Sequence, residues 1–245
     1  MAAGRALGLI LARGGSKGIP RKNLALLRGL PLIAHTILSA RKAASIERLI
    51  VTTDDEEIAG VARDFGAEVP FMRPAELAGD LTPDLPVFVH ALTWLEEQER
   101  YRPELIAHLR PTSPLRTARH IDEAVSILCR HPEADSVRSV NEPSENPFKM
   151  WRIESGLLSA LLPTLPPGSA PAETPREPWN SPRQALPPVY WQNACIDVIR
   201  YRTIMSAGSM SGSRIVPYDM TGQELVDIDT ARDLRVAELM LQERE

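Results

Sequence analysis

The sequence predicts an α/β fold: a mainly parallel sheet with helices on both faces, interrupted once by an inserted arm. Three observations carry this. Short apolar runs alternate with segments of helical period. Residues 6–12, the first apolar run, lead straight into a loop rich in glycine and basic residues. Half of the chain's 22 prolines fall between Pro143 and Pro188, after which regular patterning resumes.

Each element follows from local chemistry. Residues 6–12 read as a buried first strand. Residues 31–44 carry Leu32, Ile33, Thr36, Ile37 and Ala40 at helical spacing, and Pro31 suits a first helical turn. Residues 48–53 form a strand. Asp54, Asp55 and Glu56 then supply an acidic helix start, and that helix runs through Phe65 to a stop at Gly66. A short strand is expected over 68–72, a helix over 84–100, a strand over 104–109, a helix from about 117 to 129 and a strand over 135–140. After the proline-rich stretch come strands over 195–200 and 225–228 and a closing helix over 230–243. Alternating strands and helices make a parallel sheet, and the carboxyl ends of its strands are the expected ligand site.

The division is therefore residues 1–140 and 191–245 as one domain, with 141–190 inserted. So many prolines exclude a mainly helical insert. It is either a disordered linker or an extended arm packed on a second subunit. Phe148, Met150, Trp151, Ile153, Leu157, Leu158, Leu161 and Trp179 favour the arm, because free linkers rarely carry so much apolar surface.

Composition narrows the function. The 245 residues are 43% hydrophobic, enough for a sizeable core. A net charge of -4 argues against a broad nucleic-acid surface. Cys129 and Cys195 lie far apart, without metal-type spacing, and fit a reduced, cytoplasmic compartment. Residues 6–12 are too short to cross a membrane and lack a secretory cleavage pattern.

The strongest local signal is the loop running from Leu11 through Arg13, Gly14, Gly15, Ser16, Lys17, Gly18, Arg21 and Lys22 to Asn23. Its glycines let backbone N–H groups approach a ligand closely, and its four basic side chains can neutralise a triphosphate. It matches neither of the two common glycine-rich phosphate motifs, and Pro20 argues against an immediate phosphate-capping helix. The competing interpretation is a solvated basic loop.

This loop resembles the N-terminal signature of the acylneuraminate cytidylyltransferases, the CMP-sialic acid synthetases. Three further segments match in order: Arg73-Pro74-Ala75-Glu76-Leu77-Ala78, Pro111-Thr112-Ser113-Pro114-Leu115-Arg116 and Asp227-Ile228-Asp229-Thr230. The resemblance covers nearly the whole chain. It implies a Rossmann-like nucleotidyltransferase sheet and a reaction in which the anomeric hydroxyl of an acidic sugar attacks the α-phosphate of CTP, releasing pyrophosphate. It also implies a homodimer in which the inserted arm reaches the neighbouring subunit's active site, through Lys149 and Arg183.

Roles follow residue by residue. Arg13 and Lys17 are expected to supply the charge that phosphoryl transfer requires. Ala12, Gly14, Gly15, Ser16, Lys22, Asn23, Arg73, Thr112 and Ser113 are expected at the nucleotide, although Arg73 equally suits a surface ion pair. Ser113 has no His or Asp marking a triad, so it reads as a hydrogen-bonding group rather than a nucleophile. Arg110, Arg116, Gln192 and Asn193 are expected at the acceptor. Two positions depart from the family pattern. Arg110 stands where a Gln is usual, and Trp191 replaces an Arg that helps hold the acceptor. The acceptor is therefore open between sialic acid, a related nonulosonic or 2-keto sugar acid, and a phosphonic acid.

Asp227 and Asp229 are expected to hold Mg2+, with Asp227 also catalytic. Two apart on an expected strand, they point to one face, and paired carboxylates need a compensating cation. Asp229 alternatively caps the last helix. Two other functions remain open: a nucleotidyltransferase using another nucleoside triphosphate, and a nucleotide-sugar binder without activity. The retained Arg13, Lys17, Asp227 and Asp229 count against the binder.

Overall fold

The computed structural model describes residues 4–162, 175, 177–223 and 225–243. The chain divides into two compact units, Met1–Ser139 with Asn193–Glu245, and Val140–Gln192.

The elements run β1 (Ala6–Leu11), β2 (Leu26–Leu27), β3 (Leu30–Pro31), α1 (Leu32–Arg41), β4 (Ile46–Thr52), α2 (Glu56–Asp64), α3 (Asp84–Glu99), β5 (Leu105–His108), α4 (Ala118–Arg130), β6 (Ser136–Asn141), β7 (Trp151–Glu154), β8 (Leu157–Ala160), β9 (Trp191–Arg200), α5 (Tyr201–Met205), β10 (Ile215–Asp219) and α6 (Ala231–Gln242). Six strands form one sheet in the order β10-β6-β9-β5-β1-β4. β1 lies parallel to β4 and β5, with Leu9 opposite Ile50 and His108. β9 runs antiparallel to β5 and sets Asp197 opposite His108.

Strand alternation sorts β1 between two cores. Ala6 and Ile10 pack with Ile33 and Ile37 of α1, Ile58 of α2, and Ile121 and Val125 of α4. Leu7 and Leu9 pack with Phe88 and Leu92 of α3 and Ile204 of α5. The sheet is thus covered on both faces. Each fully buried Leu or Ile contributes about 1.5–3 kcal/mol.

Helix starts follow local chemistry. The Asp55 carboxylate accepts from the Glu57 and Ile58 N–H groups at the head of α2. Thr117 caps α4 and Thr230 caps α6, each in a reciprocal capping box. Gly66, at φ +89°, follows α2 in the left-handed region.

Two expectations fail, and one strand was missed. Residues 68–72 make only the single bridge from Glu68 to Ile50, because Pro70 interrupts the ladder. Residues 225–228 are not a strand. Ile228 instead buries its side chain with Leu27, Leu32 and Ala237, while its N–H donates to the Thr112 carbonyl at 2.9 Å. β10 was not expected: Pro217 obscures it, and it lies at the sheet edge, where proline is tolerated.

In the second unit, β7 and β8 pair as an antiparallel hairpin whose turn holds Ser155 and Gly156 at φ +52° and +82°. The Trp151 and Trp179 rings meet at a tilt of 53°, with centroids 4.9 Å apart. Ile153, Leu157 and Leu158 are largely exposed. Residues 163–174 and 176 of the expected arm lie outside the described residues.

Candidate active site

The loop after β1 is held open by its own side chains. Asn23 is buried, and its amide donates to the Arg13 carbonyl at 3.0 Å. Its role is therefore to shape the loop. The Gly14 N–H donates to Asp54 Oδ1 at 2.9 Å. Gly18 admits no side chain, since a Cβ there would sit 2.2 Å from the Asp229 carbonyl oxygen. Ala12 is buried in the core, whereas Gly15 and Lys17 are exposed and Ser16 half-buried.

The loop's cations meet carboxylates from elsewhere in the fold. Arg13 Nη1 lies 2.8 Å from Asp80 Oδ1, and Lys17 Nζ lies 2.6 Å from Asp80 Oδ2. The Lys17 hydrogen bond is the main cause holding the Asp80 carboxyl below its ordinary value. Lys22 Nζ donates to the Ile228 carbonyl at 2.8 Å and to Asp229 Oδ1 at 3.0 Å. The loop is thereby tied to the Asp227–Asp229 segment.

The Asp227 carboxyl is raised above its ordinary value, first by partial desolvation and also by the charge of Asp229, while a Thr112 hydrogen bond and Lys22 oppose the rise. Its surface is nonetheless exposed, so both carboxylates remain reachable from solvent. Thr230, not Asp229, is the N-cap of α6, which removes the capping explanation for Asp229. Two reachable carboxylates that repel each other suit a hard divalent cation that takes its other ligands from phosphate oxygens and water. Among the described residues no three His, Cys, Asp or Glu side chains gather as a metal cage.

The carboxyl end of β5 holds a second polar cluster. Arg110 Nη1 donates to Asp197 Oδ2 at 3.0 Å, and Nη2 reaches Asp84 Oδ2 at 3.4 Å. Arg138 Nε donates to Asp197 Oδ1 at 3.0 Å. His108 is buried among these groups, and desolvation, then the Arg110 charge, pushes its pKa well below the ordinary value. Thr112 sits half-buried beside Asp227. Ser113 is buried, its hydroxyl donating to the Ala194 carbonyl at 3.2 Å.

Arg116 requires a correction. It is 1% exposed and donates to the Cys195 carbonyl at 2.6 Å, Thr36 Oγ1 at 2.7 Å and the Arg110 carbonyl at 3.0 Å. Burial lowers its pKa to about 10. It joins β9, α1 and the loop after β5, and has no surface to offer an acceptor. Arg73 is no surface ion pair either: it is buried and donates to the Thr52 carbonyl at 2.5 Å. Asn193 braces the start of β9, accepting from Ser139 Oγ and the Cys195 N–H, with Nδ2 buried and without a partner among the described residues. Ala194, next to it, holds φ +58°, a left-handed conformation that favours glycine. In the second unit Lys149, Arg183 and Gln192 are exposed. Arg183 donates to the Pro143 carbonyl at 2.8 Å and lines a cleft of about 430 Å3.

Sequence reasoning missed Asp80, Asp84, His108, Arg138 and Asp197. The available signal was a titratable residue inside an otherwise apolar strand, as with His108 in β5 and Asp197 in β9.

Residues 7–151 match the profile of the cytidylyltransferase family. The chain belongs to that family. It is accordingly a CTP-dependent nucleotidyltransferase. Over 235 residues it is 27% identical to the post-translational flagellin modification protein B of Campylobacter coli, covering 96% of this chain and 94% of that one. It is 40% identical over 151 residues to the CMP-N,N'-diacetyllegionaminic acid synthase of Legionella pneumophila, covering 62% of this chain and 64% of that one. The fold is shared with a CMP:2-keto-3-deoxy-manno-octonic acid synthetase solved with CTP, at TM-score 0.69 and 18% identity, covering 98% and 99% of the two chains. No helix among the described residues is long and apolar enough to cross a membrane.

Proposed function

We propose that this cytidylyltransferase transfers CMP from CTP to an acidic sugar of the nonulosonic or 2-keto class, releasing pyrophosphate. The observation that carries this is Lys22, which ties the basic loop after β1 to the Asp227–Asp229 segment. One junction thus brings together what a nucleoside triphosphate needs: cations for its phosphates and carboxylates for its counter-ion. The acidic character of the acceptor rests on Arg110 at the neighbouring strand end and on the acids named for the relatives.

In this account Arg13 and Lys17 leave Asp80 to bind the phosphates, while the backbone at Gly14, Gly15 and Ser16 closes around them. Asp227 and Asp229 are the residues that would hold Mg2+. Magnesium bound there would offset triphosphate charge and lower the pKa of the attacking hydroxyl. The acceptor's anomeric hydroxyl gives up its proton to water as its oxygen forms the new bond to the α-phosphorus, the bond to the bridging oxygen breaks, and pyrophosphate leaves with that electron pair. Thr112 fixes the Asp227 carboxyl through a hydrogen bond.

The protein works in the cytoplasm as a homodimer built through residues 141–190. Exposed Ile153, Leu157 and Leu158 on the β7–β8 hairpin support that interface, which an isologous contact would bury on both chains at once. Titration calorimetry with each nucleoside triphosphate and magnesium tests the nucleotide, and tighter binding of GTP or ATP than CTP refutes it. Light scattering tests the dimer, and a stable monomer at micromolar concentration refutes that part.

A further inference from the structure

Asp197 stands in the middle of β9 between Ile196 and Val198, both fully buried, and is itself 2% exposed. A carboxylate in such a strand is costly unless its oxygens are satisfied. Here each oxygen accepts from a guanidinium at 3.0 Å, Oδ2 from Arg110 and Oδ1 from Arg138. Asp197 is thus a fixture of the sheet with no surface for a ligand.

Arg110 differs. Its side chain is 24% exposed, and only Nη1 is pinned by the buried carboxylate. Nη2 meets Asp84 at the long distance of 3.4 Å, and Asp84 is itself 43% exposed at the start of α3. The same Asp84 oxygen lies 3.9 Å from His108 Nδ1, a buried atom without a hydrogen-bond partner among the described residues. A partly exposed carboxylate therefore faces a guanidinium that is pinned through its other nitrogen, with the His108 nitrogen buried beside it. That is the place where a carboxylate brought by a ligand would sit.

We propose that Asp197 is a positioning residue that aims the Arg110 guanidinium at the carboxylate of the acid acceptor, and that Asp84 occupies this anion position until the acceptor displaces it. The inference rests on the proposed transfer to an acidic sugar. His108, kept neutral by burial and the neighbouring arginines, adds no second cation to this position.

The test uses the full-length enzyme and the best-used acid among N-acetylneuraminic, N,N'-diacetyllegionaminic and 2-keto-3-deoxy-octonic acids, with its methyl ester as the uncharged control. Asp197→Asn is expected to raise the KM for the acid by about tenfold or more, leave the KM for CTP within about twofold, and shrink the preference for acid over ester. Arg110→Gln is expected to do the same, and the double variant to be no worse than Arg110→Gln alone. Asp84→Asn is expected to lower the KM for the acid. Additive effects in the double variant, an equal rise in the KM for CTP, or an unchanged acid-to-ester preference in Arg110→Gln would overturn the inference. If Asp197→Asn does not fold, the Arg110→Gln preference and the Asp84→Asn KM decide the matter. If CTP binds but no acid is turned over, the acceptor reading falls and this inference with it. If acids are turned over and the cycle is additive, only this inference falls.

Discussion

Lys22 and Asp229, 207 residues apart in sequence, meet at 3.0 Å between Nζ and Oδ1. This contact joins the basic loop after β1 to the acidic segment before α6, and it places a cation close enough to Asp227 to oppose the rise of that carboxyl's pKa. Lys22→Met should therefore push the Asp227 pKa further up. The ionised carboxylate is the active form, so activity is lost as pH falls through that pKa. The acid limb of the kcat/KM profile should move to higher pH in the variant. An acid limb that stays in place would separate Lys22 from Asp227.

Asp227→Asn and Asp229→Asn test the metal role. Each keeps size and hydrogen bonding and removes charge. Turnover should fall by at least about 100-fold, the scale of one lost electrostatic stabiliser. The Asp227 pKa is raised in the fold, so ionisation there opposes folding above that pKa. Tm at neutral pH should accordingly hold or rise in Asp227→Asn. Full turnover at limiting magnesium in both variants would remove the pair from the mechanism.

Asp80 competes with the triphosphate for Arg13 and Lys17. Asp80→Asn should tighten pyrophosphate binding by about two- to fivefold, a modest gain because the pairs are solvent-exposed. The gain should shrink with added salt. Calorimetry at two ionic strengths checks this, and weaker binding in the variant would show that Asp80 assists the site rather than blocking it.

Arg116→Gln tests the corrected role of that arginine. Its loss removes a donor from the buried Cys195 carbonyl, from the part-buried Arg110 carbonyl and from Thr36 Oγ1. Stability should drop by about 1–3 kcal/mol for each buried group left unsatisfied, read by denaturant unfolding. The folded fraction should keep near-normal KM values for both substrates. A selective rise in the KM for the acid with unchanged stability would restore Arg116 to the acceptor site.

The parts of this fold legible in sequence were those where local chemistry and burial agree. β1, α1 and α2 carry both the right period and the right ends, as Asp55 and Gly66 show. Residues 225–228 misled because an apolar run beside Asp227 looks the same whether it pairs in a ladder or packs Ile228 under α6. Arg110 and Arg116 share one loop, yet one is partly open and the other sealed. Only the neighbouring Thr36 and Cys195, distant in sequence, decide that difference. His108 and Asp197 each stood out as a titratable residue in an apolar strand, but their meeting with Asp84 was not legible, since three elements assemble the cluster and no spacing announces it.

The most direct test of the central claim is pyrophosphate release by the purified enzyme with magnesium, each of the four nucleoside triphosphates being crossed with sialic, legionaminic, pseudaminic and 2-keto-3-deoxy-octonic acids and with phosphonates. Release is expected with CTP and at least one sugar acid, together with formation of the matching CMP-sugar. Release that favours another nucleotide, or that occurs with phosphonates and with no sugar acid, would contradict it.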